Sequence, residues 1–146
     1  MKRQAYTVIA LVVLIGSMTL AAQAQSVGRT MFANIPFDFS VGNKKLPAGE
    51  YSVVQVNPAS DQAVLQLRSK DGKAGAMVQM SATIGRAEKT ARLVFNRYGD
   101  NYFFAQAWID GDRNGLQAPT PRSERTIVSE LAGAKAQAEV IALARR

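Results

Sequence analysis

Apolar and polar residues alternate along much of this chain with a period of two. Ile35, Phe37, Phe39 and Val41 are apolar, and Pro36, Asp38, Ser40 and Gly42 lie between them. Side chains two apart share one face of a strand, so Ile35 to Val41 reads as a strand with one buried face. Pro36 lacks an N–H and places that strand at an edge or at its own start. Gly42 to Lys45 and Leu46 to Gly49 supply two turns, with Pro47 presetting φ. Glu50 to Val56 predicts the next strand, with Tyr51 and Val53 on one face and Val54 and Val56 on the other. Ala63 to Arg68 and Ala74 to Ala82 predict two more, joined by a turn at Ser69 to Gly72, where Asp71-Gly72 tolerates positive φ. Arg92 to Tyr98 and Tyr102 to Ile109 flank Gly99-Asp100-Asn101, which makes them a hairpin.

The period changes near the C-terminus. Asp110 to Thr120 has two glycines, Asn114 and Pro119 and no periodicity, so it reads as a loop. Thr120-Pro121 looks like an N-cap followed by proline at the first helical position. Ile127, Val128 and Leu131 form one stripe, and Gly133 is a helix stop. The tail has two readings. Ile127, Leu131, Ala134, Ala138, Ile141 and Ala144 would make one long helix; Val140 to Leu143 would make a final strand. About seven short strands at regular spacing predict an all-β fold, a small antiparallel β-sandwich or partly open barrel with one short C-terminal helix.

The first 24 residues stand apart from this pattern. Lys2 and Arg3 precede an apolar run from Tyr6 to Leu20, and Ala22-Gln23-Ala24 follows. That order is a secretory signal peptide with a small-x-small cleavage site. The run is shorter than the ~20 residues that span a bilayer. The expectation is cleavage after Ala24, an exported protein in the periplasm or outside the cell, and a single β-rich domain over 25–146 with no membrane span. A chain of this size buries on the order of two-thirds of its unfolded surface, enough to fold without staples. The absence of cysteine fits, because the exported compartment permits disulfides and the chain uses none.

The formal net charge is +7 and stays positive without Lys2 and Arg3. The basic positions are dispersed: Lys44 and Lys45; Arg68, Lys70 and Lys73; Arg86, Lys89 and Arg92; Arg122 and Arg125. Acids sit among them, so there is no basic stripe of the kind nucleic acid requires. Solubilising surface charge explains the excess, or attraction to an anionic envelope polymer or a lipid headgroup, with nucleic acid disfavoured by the dispersal and by export. The basic segment Arg122 to Arg125 alone suggests docking onto an anionic surface or an acidic partner.

Three stretches together resemble a family of small exported proteins from soil bacteria of the acidobacterial kind. They are Ile35 to Val41 (IPFDFSV), Leu46 to Val53 (LPAGEYSV) and Leu93 to Phe103 (LVFNRYGDNYF). The shared order is a leader, an F-x-F-x-V strand, an L-P-A-G-x-Y turn and an L-V-F-x-R-Y-G-D hairpin. A basic segment then follows, here Pro121 to Arg125, and a strand-like apolar end. The resemblance implies a helix to about residue 132 and a last strand near 139–143. It implies no activity.

With neither His nor Cys, the chain has no imidazole base, no thiol nucleophile and no thiolate zinc site. No glycine-rich phosphate loop is present. Three constellations are left. Asp110, Asp112 and Asn114, with Gly115 next, match the opening of a calcium loop, but Pro121 stands where its bidentate Glu belongs. As turn residues, Asp and Gly are equally at home there. In the strand after the hairpin, Tyr102, Phe104, Gln106 and Trp108 share one face by simple alternation. With Tyr98 and Arg97 they could form an aromatic platform for a sugar or base, or they could be a buried central strand. Asp38, Glu50, Asp100, Asp110 and Asp112 are available for a two-carboxylate hydrolase, though a domain this small has little room for a deep cleft. The reading that follows is an exported, non-catalytic β-domain of the bacterial envelope that binds a protein partner or an envelope polysaccharide by a sheet face or edge. A small carbohydrate-active hydrolase and a calcium-dependent adhesion module are the alternatives. No cofactor is expected beyond that calcium, and the oligomeric state is open.

Overall fold

The computed structural model describes residues 30–57, 63–87, 89–131, 133 and 135–144. The leader read in residues 1–24 lies outside the described residues. The described residues are all-β with one short helix, as the periodicity predicts. Ten strands lie among the described residues: β1 (Met31–Ile35), β2 (Phe39–Val41), β3 (Lys44–Leu46), β4 (Gly49–Gln55), β5 (Ala63–Ser69), β6 (Gly75–Ile84), β7 (Arg92–Tyr98), β8 (Asn101–Trp108), β9 (Asn114–Gln117) and β10 (Gln137–Ala142). The helix, α1 (Arg122–Glu130), lies between β9 and β10. Among the described residues no helix is long and apolar enough to cross a membrane.

Pairing is antiparallel throughout, apart from one parallel contact of β2 with β8 at Ser40 and Phe103. The order runs β1-β4-β5-β6-β9-β8, and β7 then β10 continue beyond β8. β7 covers one edge of β8 along its length. The other edge is shared by β2, at Phe103, and β9, at Gln106–Trp108. The sheet curls far enough for the second residue after β10 to reach β1: Phe32 and Ala144 exchange two backbone hydrogen bonds of 2.9 and 2.8 Å.

The strands face inward with residues two apart, among them Ile35, Phe39 and Val41, which alternation placed together. Ile35, Phe39, Val41, Tyr51, Val53, Leu65, Leu67, Leu93 and Phe95 are all buried. Phe39 meets Tyr51 and Phe95 edge-on at 5.2 and 5.3 Å, and Phe95 meets Phe104 at 5.8 Å. One aromatic chain thus crosses the core from β4 to β8. The Tyr51 hydroxyl donates to the Pro47 carbonyl at 2.6 Å, tying the turn to the strand it feeds. Tyrosine corners in sandwich folds have the same geometry.

The expected strand Ile35 to Val41 is two strands. Pro36 withholds a donor, and the Asp38 carboxylate accepts from the Ala48 N–H at 2.9 Å instead of lining a ladder. Lys44 to Leu46 was expected within the turns; only Gly42-Asn43 turns, with Gly42 at φ +58°. The expected loop Asp110–Thr120 contains β9, whose apolar content is a single Leu. The helix starts one residue later than expected: Pro121 is the N-cap residue and makes no side-chain cap bond. Residues 137–142 settle the tail as a strand paired with β7.

Candidate functional site

The aromatic strand does not form a platform. Its pairing with β7 slips between Val94 and Phe95, so that Phe95 opposes Phe104 while Val94 opposes Gln106. Ala105 is the extra residue of a β-bulge, and a bulge reverses the alternation beyond it. Tyr102 and Phe104 therefore face the core, while Gln106 and Trp108 face the other way, contrary to simple alternation. Tyr102 stacks on Phe37 at 3.9 Å, and the Arg97 guanidinium lies over its ring at 5.4 Å. Tyr98 lies on the opposite face, edge-on to Phe103. Trp108 is only 6% exposed. Its ring lies against Gly85 and Gly115, with Arg92 5.7 Å above it, and its Nε1 donates to Gln106 Oε1 at 3.0 Å. Tyr98, Tyr102, Trp108 and Arg97 are thus split between two faces, and a sugar or base cannot stack on the covered Trp108.

The acidic turn is built for its own backbone. Asp112 Oδ1 accepts from the Asn114 N–H at 2.9 Å and from Asn114 Nδ2 at 3.1 Å, and Gly111 takes φ +75°. Asp112 and Asn114 thus shape the β8–β9 hairpin, with Asp110 at its start. Among the described residues no group of three or more acidic side chains gathers for a metal. Of the carboxylates considered for hydrolysis, Asp38 holds the Ala48 N–H and Glu50 pairs with Lys70 at 2.5 Å.

Glu124 went unrecognised in the sequence. It stands between Arg122 and Arg125 in what reads as a basic patch, yet it is 3% exposed. Its Oε1 accepts from Asn96 Nδ2 at 2.8 Å and from the Tyr98 hydroxyl at 3.1 Å, anchoring α1 to β7. The signal available was an acid in the first helical turn, where it also meets the positive end of the helix dipole. Burial, the bond to Glu124 and that carboxylate's charge push the Tyr98 phenol above its ordinary 10.0. A raised folded-state value means the fold favours the neutral phenol. Its contribution is complete below pH 10 and is lost as pH rises through the raised value. The unfolding midpoint of wild type should therefore exceed that of Tyr98→Phe at pH 8 and lose that advantage above pH 10. Parallel pH curves for the two proteins would show that this hydroxyl does not couple to folding.

The open surface lies at the end of the sheet formed by the β5–β6 and β2–β3 turns. A groove of about 750 Å³ runs between Gly42 to Lys44 on one side and Lys73 to Met77 on the other, with Arg68 beside it. Lys44, Arg68 and Lys73 line it, and no carboxylate does. The nearby acids are engaged with their neighbours. Asp71 accepts from the Ser69 hydroxyl at 2.5 Å and the Lys73 N–H at 3.1 Å, bonds that hold its carboxyl below the ordinary range. Glu50 takes Lys70. Among the described residues Lys44, Arg68 and Lys73 form no ion pair. These cations lie apart along the chain, and Lys44 reaches the β5–β6 turn only through the path of the sheet.

No family model, curated protein or solved structure matches the chain.

Proposed function

We propose that this chain is an exported, non-catalytic binding domain of the bacterial envelope, and that it holds an anionic partner in the groove between the β2–β3 and β5–β6 turns. The observation that carries this reading is the grouping of Lys44, Arg68 and Lys73 around an open groove that no carboxylate lines. Like charges brought together around one groove repel one another and attract an anion from solution. The leader read in the sequence supplies the exported setting, and an envelope offers many polyanions. With no imidazole or thiol in the chain, the side chains at this groove suit binding better than bond cleavage.

The test is binding of alginate, a polyuronate, to wild type and to the triple variant Lys44→Glu, Arg68→Glu, Lys73→Glu. Wild type should bind in low salt and weaken as salt screens the charges. The variant should lose at least about tenfold in affinity, roughly 1.4 kcal/mol. Its unfolding midpoint should stay close to wild type, because exposed substitutions cost within about 0.5 kcal/mol each. Equal binding by the two proteins would remove the groove from the account.

A further inference from the structure

One wall of that groove is an unpaired strand edge. Ser69 N–H donates to the Ala74 carbonyl at 2.8 Å, which makes Leu67–Ala76 and Leu65–Val78 hydrogen-bonded pairs in the β5–β6 register. Backbone groups of successive residues point to opposite edges, so those of Gly75 and Met77 turn away from β5. On that side Gly85 N–H donates to the Arg113 carbonyl at 2.9 Å, and β9 pairs with β6 from Ile84 back only to Ser81. Beyond Ser81 the neighbouring strand is β3, which pairs with β2 alone among the described strands. The sheet therefore has a gap in its pairing along the first residues of β6, although β3 comes within 8 Å of β6, and the groove lies over it. Met77, 60% exposed, is one of the large apolar side chains at the surface and lines this groove.

We infer that the gap receives an extended acidic peptide segment of a partner protein as an added strand, paired to β6 at Gly75 and Met77. This rests on the anionic reading of the groove and names its occupant. A free edge offers backbone donors and acceptors to another extended backbone, which gives affinity, while side-chain surroundings select sequence. The surroundings here are Lys44, Arg68 and Lys73, which favour Asp and Glu, and Met77, whose flexible side chain adapts to an apolar neighbour. A polysaccharide would satisfy the cations and leave the backbone edge unused. A second copy of the chain would bring the same three cations to face their equals.

The experiment uses protein expressed from the full chain and a blocked peptide of alternating Glu and Thr. Amide spectra of wild type should show Gly75 and Met77 shifting and becoming protected from exchange on addition of the peptide. The same peptide N-methylated at alternate residues keeps its charge and cannot pair; it should bind at least about tenfold more weakly. Met77→Pro removes the edge donor at a position where an edge strand accepts proline, and it should lose the peptide while keeping the alginate. Because Met77→Pro could unfold, the N-methylated peptide carries the same test on wild type. Equal binding of the two peptides, absence of binding at about 1 mM, or protection at other amides would overturn the added strand. Self-association that protects Gly75 and Met77 without peptide would also overturn it, in favour of a second copy. Charge-sensitive alginate binding surviving any of these results would leave the anionic groove standing, and its loss would remove both.

Discussion

Phe95→Ala is expected to lower the stability of this protein by about 3–5 kcal/mol, the range for truncating a buried phenylalanine. Phe95 has no exposed surface and touches three other aromatic rings, Phe37, Phe39 and Phe104. These rings come from the segment before β2, from β2 itself and from β8. β2 has only three residues and joins β8 through one bridge, so backbone pairing holds it weakly and ring packing must hold it instead. Removing the Phe95 ring therefore leaves a cavity and also releases the strand whose turn forms one side of the groove. Against the roughly 5–15 kcal/mol that domains have in total, the loss is large. Denaturant unfolding at pH 7 measures it. Phe95→Leu, which refills part of the space, should cost less than half as much. A loss below about 1 kcal/mol for Phe95→Ala would mean that the aromatic chain does not carry the core.

That core was legible because inward residues of a half-buried sheet must alternate. Ile35, Phe39, Val41, Tyr51 and Val53 were each placed by period, and the β7–β8 hairpin by Gly99, which takes φ +61° in the turn. β9 escaped because Asn114, Gly115 and Gln117 carry no apolar pattern; its two neighbours hold it through the backbone. Ala105 escaped because a bulge is an event of pairing, and a single strand's sequence does not show which partner residue it faces. The candidate platform failed at that residue. The groove escaped for a third reason: it depends on β3 coming to lie beside β6, two strands far apart in the order of the sheet.

These omissions share a cause. Periodicity reports which face of a strand is buried and is silent on which edge is paired. The features that distinguish this molecule from a closed sandwich are edge features: β2 and β9 sharing one edge of β8, the Phe32–Ala144 bridge, and the unpaired start of β6. Exposed edges invite association, and chains commonly guard them with lysine. Lys44 and Lys45 occupy that position on β3. Positive charge that repels a second copy is the same charge that admits an acidic strand, so one arrangement serves both to exclude the wrong partner and to select the right one.

Gly115→Ala is expected to displace Trp108, with an effect visible without any ligand. Gly115 has an ordinary φ, so alanine fits its backbone; the obstacle is space. A Cβ added there would stand 2.6 Å from the Trp108 ring, closer than carbon atoms approach, and Gly85 offers no room on its own side of the ring. The indole is not the loose end of a flexible chain. It is held by its bond to Gln106 and covered by Arg92, so it must rotate out as a body or push β9 away from β8. Overpacking of this kind costs about 1–3 kcal/mol, and loss of ring burial adds to it. Trp108 is the sole tryptophan, so its fluorescence reports the event directly. Wild type should emit as a protected indole and resist acrylamide quenching; Gly115→Ala should shift to the red and quench readily. Gly85→Ala should behave alike, and the double variant should cost less than the two added together, because the ring can leave only once. A stable Gly115→Ala with wild-type emission would mean that the ring does not rest on β9, and the bulge at Ala105 would then have to be redrawn, since it is the bulge that turns Trp108 to that face.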